Sequence, residues 1–458
     1  MSMSKQVTPH YLSLFLIVFF TGISPVIHAQ DLLDIYELAL QNDPVLKQAH
    51  ANQLAIGEAR NQNVANFLPN VSATGMSSLD RLNNNRATYQ GSGIQKYSDQ
   101  SLTVNLTQPL FHWDHWIQLS QADNQIAQAE ADYQTELQRL MVKIADAYFN
   151  VLSAEDNLEF SRSEKQAIAR QLEQAKQRYD IGLTDITEAR EAQAAFDSAT
   201  AGEIEASNDV DNQKEALTEI IGEQDIKLNS LGEKIPLVRP EPDNIAAWSD
   251  AAEVGNFGIV SAFNQLEFSR KTIDLQRSGH LPKLDLTASF GQYDTSSKFG
   301  LQGDTEIVGL RLNVPLYEGG AVNSRTEQAR FKYDQAKEYL TATKRAVKRQ
   351  VKDAYRGITT SISRVEALKT AVSSAEIAVQ STEAGFDVGV RTLVDVLAEQ
   401  RNLYRAKRDY SRTRYDYLLN GIKLKQASSS LTQEDLEQIN RLLVVGSAAK
   451  RRDSDGLQ

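Results

Sequence analysis

Residues 386–400 read FDVGVRTLVDVLAEQ, and residues 179–193 read YDIGLTDITEAREAQ. Each stretch carries an aromatic residue, Asp, a β-branched residue and Gly, then enters a helix-favouring run ending in Gln. Glycine adopts backbone angles that other residues avoid, so Gly182 and Gly389 mark two turns between helices. The copies lie 207 residues apart, and so do DAYFNVLSA (146–154) and DAYRGITTS (353–361). FLPNVSATG (67–75) likewise parallels HLPKLDLTASFG (280–291), and SLTVNLTQPLF (101–111) parallels IVGLRLNVPLY (307–317). The chain is an internal duplication whose halves differ at the turn, where only the second carries Arg391 and Asp395.

Apolar and small residues continue outward from the second turn in steps of four and three: Phe386, Thr382, Val379, Ala375, Val372, Leu368, Val365, Ser361, Ile358, Ala354, Val351 and Val347. The first half repeats the register from Tyr179 back to Leu140. A sustained spacing of about 3.5 residues means coiled-coil packing. No proline falls between Pro109 and Pro236 or after Pro315, so helix breakers are confined to other windows. An unbroken helix from Trp113 to Arg178 would be ~100 Å long. The chain therefore runs out, turns at Gly182 or Gly389, and runs back as two long helical hairpins.

The windows between the hairpins alternate with a period of two. Leu284, Leu286, Ala288 and Phe290 interleave with Asp285, Thr287, Ser289 and Gly291. Val308, Leu310, Leu312 and Val314 interleave with Ile307, Gly309, Arg311 and Asn313, and Leu102, Val104 and Leu106 with Ser101, Thr103, Asn105 and Thr107. A weaker alternation places Val71, Ala73 and Gly75 opposite Ser72, Thr74 and Ser78. Strands of about 9–11 residues with one apolar and one small-polar face suit an outer-membrane barrel wall. Phe111, Trp113, Trp116 and Tyr317 cluster at strand ends, as membrane-interface aromatics do. The polar stretches 80–100 and 294–305 are expected to be loops. Four strands cannot close a barrel, and open edges are not tolerated in lipid, so such a chain must oligomerise. Two, three or four copies all satisfy that condition.

Residues 1–29 read as a removed export signal: Lys5 in a polar start, the apolar core YLSLFLIVFF (11–20), and a small-residue site ending at Ala29. The 458-residue chain then divides into a first repeat over 30–235, a second over 236–443 and a flexible tail over 444–458. It has no cysteine, so disulfides and thiolate metal sites are excluded. A formal charge of -11 argues against nucleic acid as a partner. A mean hydropathy of -0.42 fits long solvated helices better than one thick core.

HLPKLDLTASFG, LNVPLYEGGAVNSRTEQA, RYDIGLTDITEA and GFDVGVRTLVDVL together resemble the TolC family of outer-membrane channel-tunnels, in order and over about Asp31 to Leu443. That resemblance implies an α+β membrane protein and a homotrimer. Four transmembrane strands per protomer would form a shared 12-strand barrel, continuous with a coiled-coil α-helical barrel across the periplasm of a Gram-negative cell. It implies a passive duct, docked to a periplasmic adaptor and an inner-membrane pump or ABC transporter. It places Arg391 and Asp395 at the pore constriction, and Thr187 and Glu188 at a latch that holds the closed state. Gln171 with Glu383 matches a further linking pair. Members with the full pattern carry tyrosine where Phe386 stands and a second pore aspartate where Ala398 stands, so a looser latch and weaker cation selectivity are expected.

His112 and His115 in FHWDHW (111–116) are three residues apart, with no third ligand evident, and an interfacial aromatic belt explains them better than a metal site. No nucleophile–base set or phosphate loop occurs, so neither catalysis nor a cofactor is expected. The competing functions are a periplasmic structural or adaptor coiled coil, which has no use for alternating strands, and a hydrolase of envelope polymers, which lacks a catalytic set.

Overall fold

The structure, a computed structural model, describes residues 30–444 except 89–90, 225, 298–299 and 301. The expected export signal and the tail beyond Val444 lie outside the described residues. The elements run α1 (Leu32–Asn42), α2 (Pro44–Gly57), α3 (Ala59–Ala65), β1 (Asn70–Thr88), β2 (Gly91–Phe111), α4 (Trp113–Asp180) and α5 (Ile186–Ile221) in the first half. They continue with β3 (Ser230–Leu231), α6 (Ile245–Gly255), α7 (Phe257–Arg277), β4 (Lys283–Thr295), β5 (Gly303–Asn313), α8 (Ala321–Asp387), α9 (Leu393–Ala427), α10 (Gln433–Asn440) and β6 (Leu443–Val444). The chain is α+β, mostly helical, with one four-stranded antiparallel sheet ordered β1-β2-β4-β5.

Helix α4 runs unbroken for 68 residues, and neither Gly nor Pro occurs in it. Helix α8 matches it at 67 residues. Helix α5 packs along the distal half of α4, and α9 packs along α8. The seam is the one the heptads mark: Val347, Val351, Ala354, Ile358, Ser361, Val365, Val379 and Phe386 are buried. So are Leu140, Ile144, Val151, Ala154, Ser161, Ile168, Leu172 and Ala175. Gly357 in α8 has no side chain because Asn420 of α9 fills that place: a Cβ would come within 2.9 Å of the Asn420 side chain.

The largest apolar cluster lies at the middle of α4, where Leu140, Ile144, Tyr148, Val151 and Leu152 meet α1, the end of α5, α9 and α10. Tyr148 is fully buried, and its hydroxyl donates to the Asn229 carbonyl at 2.8 Å. Asn440 clamps the start of α1 by donating to Asp31 Oδ2 at 2.7 Å and accepting from the Leu32 amide at 3.0 Å. Thr432 and Asp435 form a capping box that starts α10.

The sheet register aligns apolar with apolar over several rungs, with exceptions where Phe290 pairs with Glu306, Leu286 with Gln108 and Ser289 with Ile307. One rung reads Val71–Leu106–Ala288–Val308, and the next residue along gives Ser72–Asn105–Ser289–Ile307. Thr74–Thr103–Gly291–Thr305 forms another polar rung, while Leu286 pairs with Leu310 and Leu284 with Leu312 on the apolar face. That apolar face is uncovered: Val71, Leu102, Val308, Leu310 and Leu312 are all exposed in the single chain. Strands β1 and β5 are open edges.

The expected loop at 80–100 is corrected by the structure. Strand pairing continues as Asp80–Tyr97, Leu82–Gln95 and Asn84–Gly93, so β1 and β2 reach 19 and 21 residues. Backbone hydrogen bonds carry a polar ladder that apolar alternation does not mark. The second hairpin is shorter, with strands of 13 and 11 residues, and its turn falls within the expected 294–305.

Candidate functional site

The two helical tips are built by one backbone device. Leu183 N donates to Arg178 O at 2.9 Å, and its counterpart Val390 N donates to Gly385 O at 2.8 Å. Gly182 and Gly389 hold φ angles of 76° and 78°, in the left-handed region where a side chain is strained. No atom would obstruct a Cβ at Gly389, so the glycine serves the backbone alone. Gly389→Ala should therefore loosen the tip by about 1 kcal/mol. Amide hydrogen exchange over 385–391 should accelerate while the global Tm stays nearly unchanged.

Side chains then make the tips unequal. Tyr179 is 43% exposed, whereas Phe386 at the equivalent position is 4% exposed. Phe386 joins Ile168, Leu172, Ala192, Leu393, Val396 and Leu397 in one apolar cluster. The Arg178 guanidinium lies 4.6 Å from the centre of its ring, a cation–π contact across the two hairpins. Arg391 folds its stem over Gly385, where a Cβ would approach Arg391 Cγ to 2.8 Å. Its head is exposed and makes no ion pair among the described residues, so within one chain it does not meet Thr187 or Glu188.

Asp395 stands at the third position of α9 in a capping box. Its Oδ2 accepts from Thr392 N at 3.0 Å, and its own amide donates to Thr392 Oγ1 at 3.2 Å. The backbone and side-chain bonds with Thr392 hold the Asp395 carboxyl below its usual range. At the first tip, Asp185 caps α5 through the Thr187 amide, and the Thr187 side chain together with that amide lowers the Asp185 carboxyl. Glu188, the counterpart of Asp395, is half-buried, and its Oε2 has no hydrogen-bond partner. Arg178 Nε is in the same condition.

Gln171 Nε2 lies 3.5 Å from Glu383 Oε1, so the expected pair is brought together but at the outer limit of a hydrogen bond. The stronger partner is one the sequence analysis omits. Gln400 Nε2, on a side chain 3% exposed, donates to the same Glu383 oxygen at 3.0 Å. Gln193 and Gln400 occupy matched positions 207 residues apart, but Gln193 instead donates to Asp197 at 2.9 Å.

At the opposite end of α4, Phe111, Trp113, Trp116 and Tyr317 are 43–87% exposed. Trp116 packs edge-on to Phe67 at 4.8 Å between ring centres. His112 and His115 stack at 4.5 Å with Asp114 beside them, supplying the third ligand type the sequence analysis did not find. No described helix is long and apolar enough to cross a membrane.

The architecture has known counterparts. The family model "Outer membrane efflux protein" matches residues 35–223 and 248–430, one block in each repeat. Outer membrane protein TolC of Vibrio cholerae is 36% identical over 428 residues, covering 92% of this chain and 96% of its own. Outer membrane protein TolC of Escherichia coli K12 is 34% identical over 436 residues, covering 92% and 87%. The solved outer membrane protein VceC of Vibrio cholerae has the same fold, with a TM-score of 0.73 at 19% identity over 87% of this chain and 95% of that one. With two tandem family matches and relatives this similar along nearly the whole chain, the protein belongs to the outer membrane efflux protein family.

Proposed function

We propose that three copies of this chain close their sheets into one 12-strand barrel and act as an export duct gated at the helical tips. As a family member the chain is an outer-membrane conduit for efflux or type I secretion, passive rather than enzymatic. One observation carries the shared barrel, a four-stranded sheet with apolar residues on one uncovered face and both edges open, while the number three rests on the family resemblance. Open edges with an apolar face are satisfied in lipid only by pairing β5 of one copy with β1 of the next. The exposed rings at Phe111, Trp113, Trp116 and Tyr317 then form the belt at the bilayer interface.

At the tips, Asp395 from each copy forms a carboxylate ring at the constriction, as charged rings do in cation channels. Arg391, unpaired within its own chain, latches across to Thr187 or the unpartnered Glu188 oxygen of a neighbouring hairpin, and Phe386 seats the pair. Glu383, bound by Gln400 and Gln171, ties the second hairpin to the first. A periplasmic adaptor and an inner-membrane pump or ABC transporter are the partners that pull this latch open.

The test is conductance of purified protein across a planar bilayer, with oligomeric mass measured in detergent. A trimer with small, cation-selective openings is expected, and Arg391→Ala should raise the conductance several-fold by releasing the latch. Protein that stays in solution without detergent and never inserts would overturn the duct in favour of a periplasmic coiled coil.

A further inference from the structure

The stretch FHWDHW (111–116) lies where β2 passes into α4, far along that helix from the tips. His112, Asp114 and His115 each offer a ligand atom, and these atoms lie within 4.8 Å of one another. Three buried atoms in this group, His112 Nδ1, Asp114 Oδ1 and His115 Nδ1, have no hydrogen-bond partner. Leaving a buried polar atom unmet is costly, so three in one group ask for a common partner.

The neighbours determine which atoms are left over. His112 Nε2 lies 2.8 Å from Asp285 Oδ1 on β4. A carboxylate oxygen accepts, so the Nε2–H of His112 points at Asp285 and Nδ1 is the ring nitrogen left without a partner. Nδ1 lies 3.8 Å from Asp114 Oδ1. An imidazole lone pair and a carboxylate oxygen cannot bond to each other, so a shared donor or a cation must lie between them. Lys283 Nζ donates to the other oxygen, Asp114 Oδ2, at 2.6 Å and so leaves Oδ1 for the imidazoles. The two imidazoles stack with 23° between their planes, an approach that two imidazolium cations would oppose.

We propose that His112, Asp114 and His115 bind one divalent transition-metal ion per chain, through the two Nδ1 atoms and Asp114 Oδ1. Two imidazoles and a carboxylate suit Zn(II), Co(II) or Ni(II), whereas Ca(II) and Mg(II) take all-oxygen sites. Metal–ligand bonds of about 2.0–2.2 Å bring ligand atoms to about 3.3 Å apart, a contraction that side-chain rotations supply. Asp285 acts as the outer partner that orients His112, as carboxylates behind ligating histidines do. The ion joins the end of β2, the start of α4 and, through Asp285, β4, so it stiffens the junction between sheet and helix.

Untagged protein in detergent, stripped with a chelator and titrated with Co(II), tests this by visible absorption and by metal content after gel filtration. One Co(II) per chain, displaced by Zn(II) and weakened by about tenfold or more in Asp114→Asn, is the expected result. The double variant His112→Gln with His115→Gln should lose the band while keeping the oligomeric size and the Lys283–Asp114 ion pair. Because Zn(II) binds the folded form, it should raise the Tm of the parent protein and leave that of the double variant unchanged. Absence of stoichiometric binding at micromolar Co(II), or binding unchanged in the double variant, overturns the site. Neither outcome bears on the duct, which conductance tests separately.

Discussion

Leu310→Arg should abolish insertion into lipid while leaving the helical hairpins folded. Leu310 lies on the edge strand β5, pairs with Leu286 on the apolar face and is 67% exposed in the single chain. If that face meets hydrocarbon, an arginine near the bilayer midplane costs about 2–4 kcal/mol in each copy. Thr305→Arg is the matched control, because Thr305 shares its rung with Gly291, Thr103 and Thr74 on the small-polar face. Substitutions facing a lumen tune selectivity without blocking insertion. Flotation with liposomes and far-ultraviolet circular dichroism read the two effects separately. Equal insertion of both variants would mean that the apolar rungs are not the lipid face.

Asp395→Asn should bring the cation-over-anion permeability ratio close to one while single-channel openings persist. The substitution keeps the side chain's shape at the start of α9 and removes its charge, whereas Asp395→Glu should preserve most of the selectivity. Acid should imitate the neutral variant. The bonds with Thr392 depress the folded-state pKa of Asp395, so their stabilisation of α9 is present above the unfolded value of about 3.9. That contribution fades as pH falls through the folded value, where the carboxylate takes up its proton. Selectivity is expected to survive at pH 5 and through the usual carboxylate range, and to be lost only as pH falls through the depressed folded value below it. A midpoint well above this range would show that three carboxylates lie close enough for mutual repulsion to outweigh the Thr392 bonds.

The residues differ in how far their roles could be read from spacing. Val351, Ile358 and Val365 declared themselves because a seam residue must recur every three or four positions whatever it packs against. Leu286 and Leu310 did so because strand side chains alternate between faces. Residues 80–98 did not, since a ladder held by backbone bonds tolerates Asn, Ser and Gly and leaves no side-chain period to detect. Asp285 could not be placed against His112 either, because 173 residues separate them and only strand pairing joins them.

By itself the sequence determined the duplication, the two turns at Gly182 and Gly389, the heptad seam and the two-faced strands. Each of these is a local property, set by backbone angles and by periods of about two or three and a half residues. Tertiary structure alone decided that Phe386 is buried under Arg178 while its twin Tyr179 faces outward, and that Gln400 rather than Gln171 holds Glu383 most closely. It also decided that His112, Asp114 and His115 share three unpartnered atoms. Matched positions such as Tyr179 and Phe386 carry a similar local code, so their unequal burial arises where one hairpin packs against the other and each side chain meets a different neighbour.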